Sequence, residues 1–214
     1  VQAYLKDLVG RVTNHPLIEV MTNGQVASFS GSKGNFSTGL KVGSSMEYRK
    51  IEHGITIVAT GAQEWKPTEY HYGEDPRILT QLELEGRIAT HPEEIARAKT
   101  VVMIQCVGSR DETRPYCSRT CCASAVKNAL KIKELNPEAR VYVLYRDMRT
   151  YGLLESYYGK ARKEGILFVR YMPEDKPEVK RNGDRLSVHF TDRILKERVG
   201  VEPDLLILSA ATVP

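Results

Sequence analysis

A chain of 214 residues, 41% hydrophobic and 27% charged, has the composition of a soluble globular protein with apolar material for a real core in one or two domains. A formal charge of +4, with no Lys/Arg run and no interleaved aromatic stripe, excludes a dedicated nucleic-acid binder. No apolar stretch approaches a membrane span, no signal peptide is visible, and all four cysteines share one segment rather than a secreted disulfide framework, so a cytoplasmic protein is expected.

The chain opens in VQAYLKDLVGRV, whose Val1, Leu5, Leu8, Val9 and Val12 share one helical face. Residues 17–60 read as strands: LIEVM, the turn TNG, then QVASFSG, KGNFSTGLKVG and GITIVATGA. Alternating apolar residues with Gly and Asn between them predict a β-meander packed through Val26, Phe29, Phe36, Leu40 and Val42. ITIVATG is a continuous apolar run into a Gly turn, the pattern of a buried central strand. WKPTEYHYGEDPR then reads as a connection between domains, packed by Trp65, Tyr70, His71 and Tyr72. The expected division is a first segment over 1–75 and a second domain over 76–214.

Beyond residue 76 the pattern alternates. LTQLELEGRIA and the Pro-initiated HPEEIARAK are short helices, and TVVMIQCV is a buried strand. CASAVKNALKIKEL is a helix with Ala125, Ala129, Ile132 and Leu135 in register; RVYVLYRD is a strand. LLESYYGKARKEG is a helix ended by Gly165, followed by the strand ILFVRYM, a hairpin over 178–195 turning at RNGD, and the buried strand DLLILSAA. This order predicts an α/β fold with a Rossmann-like parallel sheet. The chain lacks an initiator Met and ends just past a buried strand, which predicts a piece of a longer protein.

In a dinucleotide-binding domain the turn after the first strand carries G-x-G-x-x-G, so that backbone can approach a pyrophosphate. Here that turn reads CVGSRDETRPYCSRTCC, with a single glycine, Gly108, and all four cysteines. The spacing C-x10-C-x3-C-C puts Cys106 at the carboxyl end of a strand and Cys117, Cys121 and Cys122 at the start of the next helix. There the helix dipole favours thiolate, and Arg110, Arg114 and Arg119 add positive charge. Four thiolates suit a 4Fe–4S cluster or a tetrahedral zinc, and the spacing specifies neither. A vicinal Cys121–Cys122 disulfide would be strained, and C-x-x-C is absent. Tyr145, Arg146 and Asp147, at the end of the second parallel strand, read as structural groups near the cysteines. The five histidines form no ligand pair, and hydrolase motifs are missing. Tyr151, Tyr157 and Tyr158 leave a homodimer contact open.

The stretch VVMIQCVGSRDETRPYCSRTCCASAVKNALKIKELNPEARVYVLYRDMRTYG, continuing through ARKEGILFVRYMPEDKPEV, resembles the A subunit of heterodisulfide reductase. NHPLIEVMTN, ITIVATGA, GEDPRILTQLELE and DLLILSAATVP extend the resemblance over nearly the whole chain. It implies a thioredoxin-reductase-like core in which Cys106, Cys117, Cys121 and Cys122 ligate a 4Fe–4S cluster and FAD splits an electron pair. It also places Val26, Thr60, Gly61 and Ala62 on the flavin side. The implied partners are other redox subunits, of heterodisulfide reductase B/C type or linked to hydrogenases or dehydrogenases, and ferredoxin. The sequence departs from the family where GNF runs directly to ITIVATGA without a ferredoxin insert, and where no flavin G-x-G-x-x-G is present. Two rival readings are a structural zinc module and an NAD(P)H-dependent dehydrogenase domain.

Overall fold

The computed structural model describes residues 2–214, which divide into one unit ending at Thr60 and another spanning Gly61–Pro214. The first begins with helix α1 (Gln2–Thr13), none of whose residues is buried. Leu5, Leu8, Val9 and Val12 are exposed along it, and Val1 lies outside the described residues. Strands β1 (Gly24–Ser32), β2 (Asn35–Val42) and β3 (Glu47–His53) follow as an antiparallel meander in the order β1-β2-β3. Gly34, at φ +88°, makes the β1–β2 turn. Gly39 is buried beneath Tyr48 and Ser28, where a Cβ would stand 2.3 Å from Tyr48 Oη and 2.4 Å from Ser28 Oγ, so only glycine fits.

The meander forms as expected, but its membership differs. Its third strand is EYRKIEH, a charged segment, while LIEVM and GITIVATGA form no strand. Ile55, Ile57 and Val58 are 74%, 86% and 80% exposed. A strand buried on both faces needs paired neighbours on both edges, and no strand among the described residues pairs with residues 54–62. Phe29 stacks on Phe36 with centroids 5.2 Å apart, and Phe36, Leu40 and Val42 are half-buried. Val26 and Phe29 remain exposed, as one sheet layer cannot bury both its faces.

In the second unit the continuous apolar runs become a parallel sheet. After the two-residue β4 (Gln63–Glu64) come β5 (Ile78–Thr80), α2 (Gln81–Thr90), α3 (Pro92–Ala96), β6 (Thr100–Val107) and α4 (Cys121–Leu135). Then follow β7 (Arg140–Tyr145), α5 (Glu155–Lys163), β8 (Leu167–Arg170), β9 (Glu178–Asn182), β10 (Arg185–Asp192), β11 (Glu197–Val201), β12 (Leu205–Ala210) and β13 (Thr212–Val213). The main sheet runs β5-β12-β6-β7-β8 with every pair parallel. Side-chain alternation sends Val101, Met103, Val141, Val143 and Ile207 into a core with Leu84, Ala125, Ala129 and Ile132 of the helices. Val102, Ile104, Leu144, Leu206 and Leu208 face the other way, against Leu186, Val188 and Phe190 of β10. That second cover is a three-stranded antiparallel sheet, β11-β10-β9, rather than the lone expected hairpin.

Local chemistry sets the element ends. Thr80 and Glu83 form a reciprocal capping box at α2, with Thr80 Oγ1 accepting from Glu83 N at 3.2 Å and Glu83 Oε2 accepting from Thr80 N at 2.9 Å. Pro92 occupies the first turn of α3, although the His91 side chain makes no cap bond. Gly165, at φ +79°, follows the end of α5. The α/β fold with a meander and a Rossmann-like parallel sheet is therefore the one the sequence predicts.

Candidate functional site

Strand β6 lies at the centre of the parallel sheet, between β12 and β7, and the crevice beside its carboxyl end is where open α/β sheets place ligands. At that end the ladder slips. Ile104 pairs with Leu208 and Val107 with Ala210, three steps of β6 against two of β12. The extra residue falls where Cys106 adopts φ +63°, a left-handed conformation that a non-glycine side chain holds only under constraint from its surroundings. The kink re-aims Cys106 at the end of an otherwise regular buried strand.

The loop from Gly108 to Thr120 is fastened at several points. Asp111 Oδ1 accepts from the backbone N–H groups of Thr113 and Arg114 at 3.0 and 2.7 Å. Arg114 lays its guanidinium over the Trp65 ring, 4.2 Å from the centroid, and its Nε donates to the Gly108 carbonyl. On β13, Thr212 N donates to Ser118 Oγ at 2.9 Å, and Tyr116 Oη donates to the Thr212 carbonyl at 3.4 Å. Trp65 itself presses on Gly108, where a Cβ would stand 2.2 Å from the indole. The one glycine of this turn thus makes room for a protein aromatic ring rather than for a pyrophosphate, which removes the usual dinucleotide cradle.

All four cysteines are free. Cys121 and Cys122 are buried in the first turn of α4, Cys106 and Cys117 are half-buried, and no side chain caps that helix. Its first amides have no intrahelical partners, and its dipole favours negative charge there. Cys122 Sγ donates to the Asp147 carbonyl at 3.7 Å, and the surroundings of Cys121 include Cys122, Cys106 and Cys117. The Cys122 thiol is pulled down, most by its neighbour Cys121, with the Arg149 backbone N–H and the Arg149 and Arg110 cations adding to this against the effect of burial. Cys121 is pushed up by the neighbouring Cys122 and by burial. Burial also raises Cys106, against the pull of Arg110. Cys117 Sγ accepts the Arg119 N–H at 3.4 Å.

Beyond the sulfurs lies a charged frame. Arg110 Nη2 is 2.7 Å from Asp147 Oδ2, Arg170 Nη2 is 3.3 Å from Asp147 Oδ1, and Arg146 Nη1 donates to the Arg110 carbonyl at 2.9 Å. Three donors here are buried without an acceptor, Gln105 Nε2, Arg110 Nη1 and Arg146 Nε, and Gln105 Oε1 is buried without a donor. Unsatisfied buried donors are expensive and few in folded proteins. Their gathering around Cys106, with four free thiols and an uncapped helix start, fits an anionic thiolate-bound group bearing further acceptors, as a 4Fe–4S cluster does. Among the described residues, no three His, Cys, Asp or Glu side chains are arranged to close on a single metal ion.

The residues placed on the flavin side by resemblance are differently situated. Val26 lies exposed on β1, Thr60 ends the first unit, and Gly61 (φ +72°) and Ala62 open the second, all three exposed. Among the described residues no orphaned buried donor accompanies them, and nothing lies within 4 Å of a Cβ built on Gly61. Trp65, Gln105, Asp147 and Thr212 were not readable as parts of the cysteine site. Only the position of Asp147 at the end of β7 hinted at it.

No family model matches the chain. It is 40% identical over 179 residues to the A subunit of the H2/formate:CoB–CoM heterodisulfide, ferredoxin reductase of Methanococcus maripaludis, a match covering 75% of this chain and 27% of that protein. It is 39% identical over 184 residues to the iron–sulfur A subunit of the CoB–CoM heterodisulfide reductase of Methanocaldococcus jannaschii, covering 77% and 27%. The chain thus spans about a quarter of the length of these curated relatives. Among solved structures, T. acidophilum thioredoxin reductase matches with a TM-score of 0.50 at 15% identity, over 100% of this chain and 60% of that one. An ornithine N-hydroxylase from Kutzneria matches with a TM-score of 0.50 at 10% identity, over 100% and 59%. The two structures share the fold with this chain. No described helix is long and apolar enough to cross a membrane.

Proposed function

The chain belongs, as a segment, to the family of heterodisulfide reductase A subunits, and we propose that it is the electron-relay segment of an oxidoreductase subunit, with Cys106, Cys117, Cys121 and Cys122 holding a 4Fe–4S cluster. When bound, such a cluster accepts and releases one electron at a time. The observation that carries this reading is the set of unpaired buried donors, Gln105 Nε2, Arg110 Nη1 and Arg146 Nε, around four free thiols at the crevice of the parallel sheet.

The chain's own residues have distinct tasks in this reading. The left-handed kink at Cys106 turns one ligand out of β6, and the uncapped first turn of α4 supplies Cys121 and Cys122 with the positive end of the helix dipole. Cys117 comes from the loop that Trp65, Arg114 and Thr212 pin in place. Burial of Cys121 and Cys122 limits water at the sulfurs, which together with local charge governs the potential of a bound centre. FAD, and its exchange of electrons with this centre, are carried by the family resemblance and by the fold's flavoprotein relatives rather than by Val26, Thr60, Gly61 and Ala62. Ferredoxin and heterodisulfide reductase B/C-like subunits are the proposed partners; the relatives' names support a ferredoxin and a CoB–CoM heterodisulfide as the redox counterparts of those proteins.

The test is EPR spectroscopy of the full-length protein, isolated without air and reduced. The expected outcome is a cluster signal that disappears in each of Cys106→Ser, Cys117→Ser, Cys121→Ser and Cys122→Ser. Parent-like spectra in all four variants would reject the ligand set.

A further inference from the structure

Three arginines stand in the cysteine segment, and what they touch separates them. Arg114 is committed to the Trp65 ring and the Gly108 carbonyl. The Arg119 side chain is exposed, and only its backbone N–H reaches a cysteine. The Arg110 side chain is 19% exposed and is held from several directions. Its Nη2 pairs with Asp147, which Arg170 steadies from the other carboxylate oxygen. Its backbone is fixed at φ +58°, its N–H donates to the Tyr116 carbonyl at 3.1 Å, and its carbonyl accepts from Arg146. Asp147, its partner, also accepts from Cys122 Sγ through its backbone carbonyl at 3.7 Å, and Cys106, four residues earlier at the strand end, lies within the field of the guanidinium. After these contacts Nη1 is still buried without an acceptor.

Building on the cluster reading above, we infer that Arg110 is the positioning residue that sets the reduction potential of the cysteine-bound centre, with Asp147 as its opposing charge. One-electron reduction makes an already anionic centre more negative, with no bond formed or broken in the protein. A fixed cation beside the sulfurs stabilises that added charge, and a hydrogen bond to sulfur acts in the same direction. Asp147 opposes reduction directly, while its grip on Nη2 keeps the guanidinium from swinging to solvent. The low exposure of Arg110 strengthens its effect, since solvent screens it less than it would at the surface, whereas Asp147, with its side chain 40% exposed, acts more weakly. Arg110 and Asp147 therefore act with opposite sign on one quantity, which a general loosening of the loop would not do.

The experiment is an EPR-monitored redox titration of the full-length protein, isolated without air and reduced stepwise with dithionite. The signal of this centre is identified as the one that Cys117→Ser removes; if Cys117→Ser removes none, the cluster reading itself fails and not merely the role of Arg110. With that signal in hand, Arg110→Gln is expected to lower the midpoint potential, Arg110→Lys to lower it less, and Asp147→Asn to raise it. An unchanged or raised midpoint in Arg110→Gln overturns the inference. Should Arg110→Gln lose the centre altogether, Asp147→Asn decides: a raised midpoint supports the role of Arg110, and an unchanged or lowered one overturns it.

Discussion

The seating of Trp65 on Gly108 predicts that one methyl group will loosen the cysteine loop. In Gly108→Ala the new Cβ would lie 2.2 and 2.3 Å from Trp65 Cζ3 and Cε3, on a backbone at φ +65°. The left-handed conformation alone costs an alanine about 1–2 kcal/mol. The ring cannot yield without leaving the Arg114 guanidinium, now 4.2 Å from its centroid, a contact worth about 0.5–1 kcal/mol. Together these give roughly 1.5–3 kcal/mol, equivalent to a fall of roughly 3–12 °C in melting temperature for a domain of this size. Gly159→Ala is the internal control: it lies within α5 and an added Cβ there meets nothing inside 4 Å, so helix propensity should make it neutral or stabilising by up to about 1 kcal/mol. The assay is thermal unfolding of the parent and both variants, side by side, followed by near-UV circular dichroism of the single Trp. A Gly108→Ala variant melting within about 1 °C of the parent, with an unchanged Trp signal, would refute the seating.

Other consequences can be measured on the same protein. Thr80→Ala removes half of the α2 capping box and should cost about 1 kcal/mol in denaturant unfolding, with Thr80→Ser recovering most of it. Asp75 is buried and accepts from Arg77 Nε at 2.9 Å and from Arg77 Nη2 at 2.6 Å, and this pairing holds its carboxyl down at about 2. A carboxyl depressed in the folded state adds stability above its ordinary pKa of 3.8, and that stability drains away as pH falls toward about 2. Stability measured against pH should therefore show an acid limb in the parent that Asp75→Asn flattens, and Asp75→Asn should be less stable near neutrality by on the order of 1–2 kcal/mol. Ile207 is fully buried in the central sheet, so Ile207→Ala should cost about 2–5 kcal/mol in the same denaturant experiment.

How much of this was legible in the sequence depended on how far local pattern and tertiary context agreed. TVVMIQCV, RVYVLY and DLLILSAA are continuous apolar runs because both faces of their sheet are covered, and each is a strand where expected. The same rule failed for ITIVATG, because hydropathy records a wish for burial and not the presence of a pairing edge. Conversely, EYRKIEH and ERVGV carry too much charge to announce themselves, yet backbone pairing to β2 and β10 makes them strands. The placement of Cys106 near a strand end and of Cys121 and Cys122 at a helix start was legible from spacing, since the two elements are joined by one turn in this topology. The division of labour among Arg110, Arg114 and Arg119 was not. It arises from contacts with Asp147 and Trp65, which lie 37 residues after Arg110 and 49 residues before Arg114, a separation no local pattern records.

The central claim, that these thiols hold an iron–sulfur cluster, is tested most directly by metal stoichiometry. Iron, acid-labile sulfide and zinc should be measured together on the full-length protein isolated without air, for the parent and for Cys122→Ser. The predicted result is that Cys122→Ser loses iron and sulfide in equal amounts, to the extent of one cluster, with no zinc in either sample. Equal iron in the two proteins, or one zinc in the parent that the variant lacks, would contradict it.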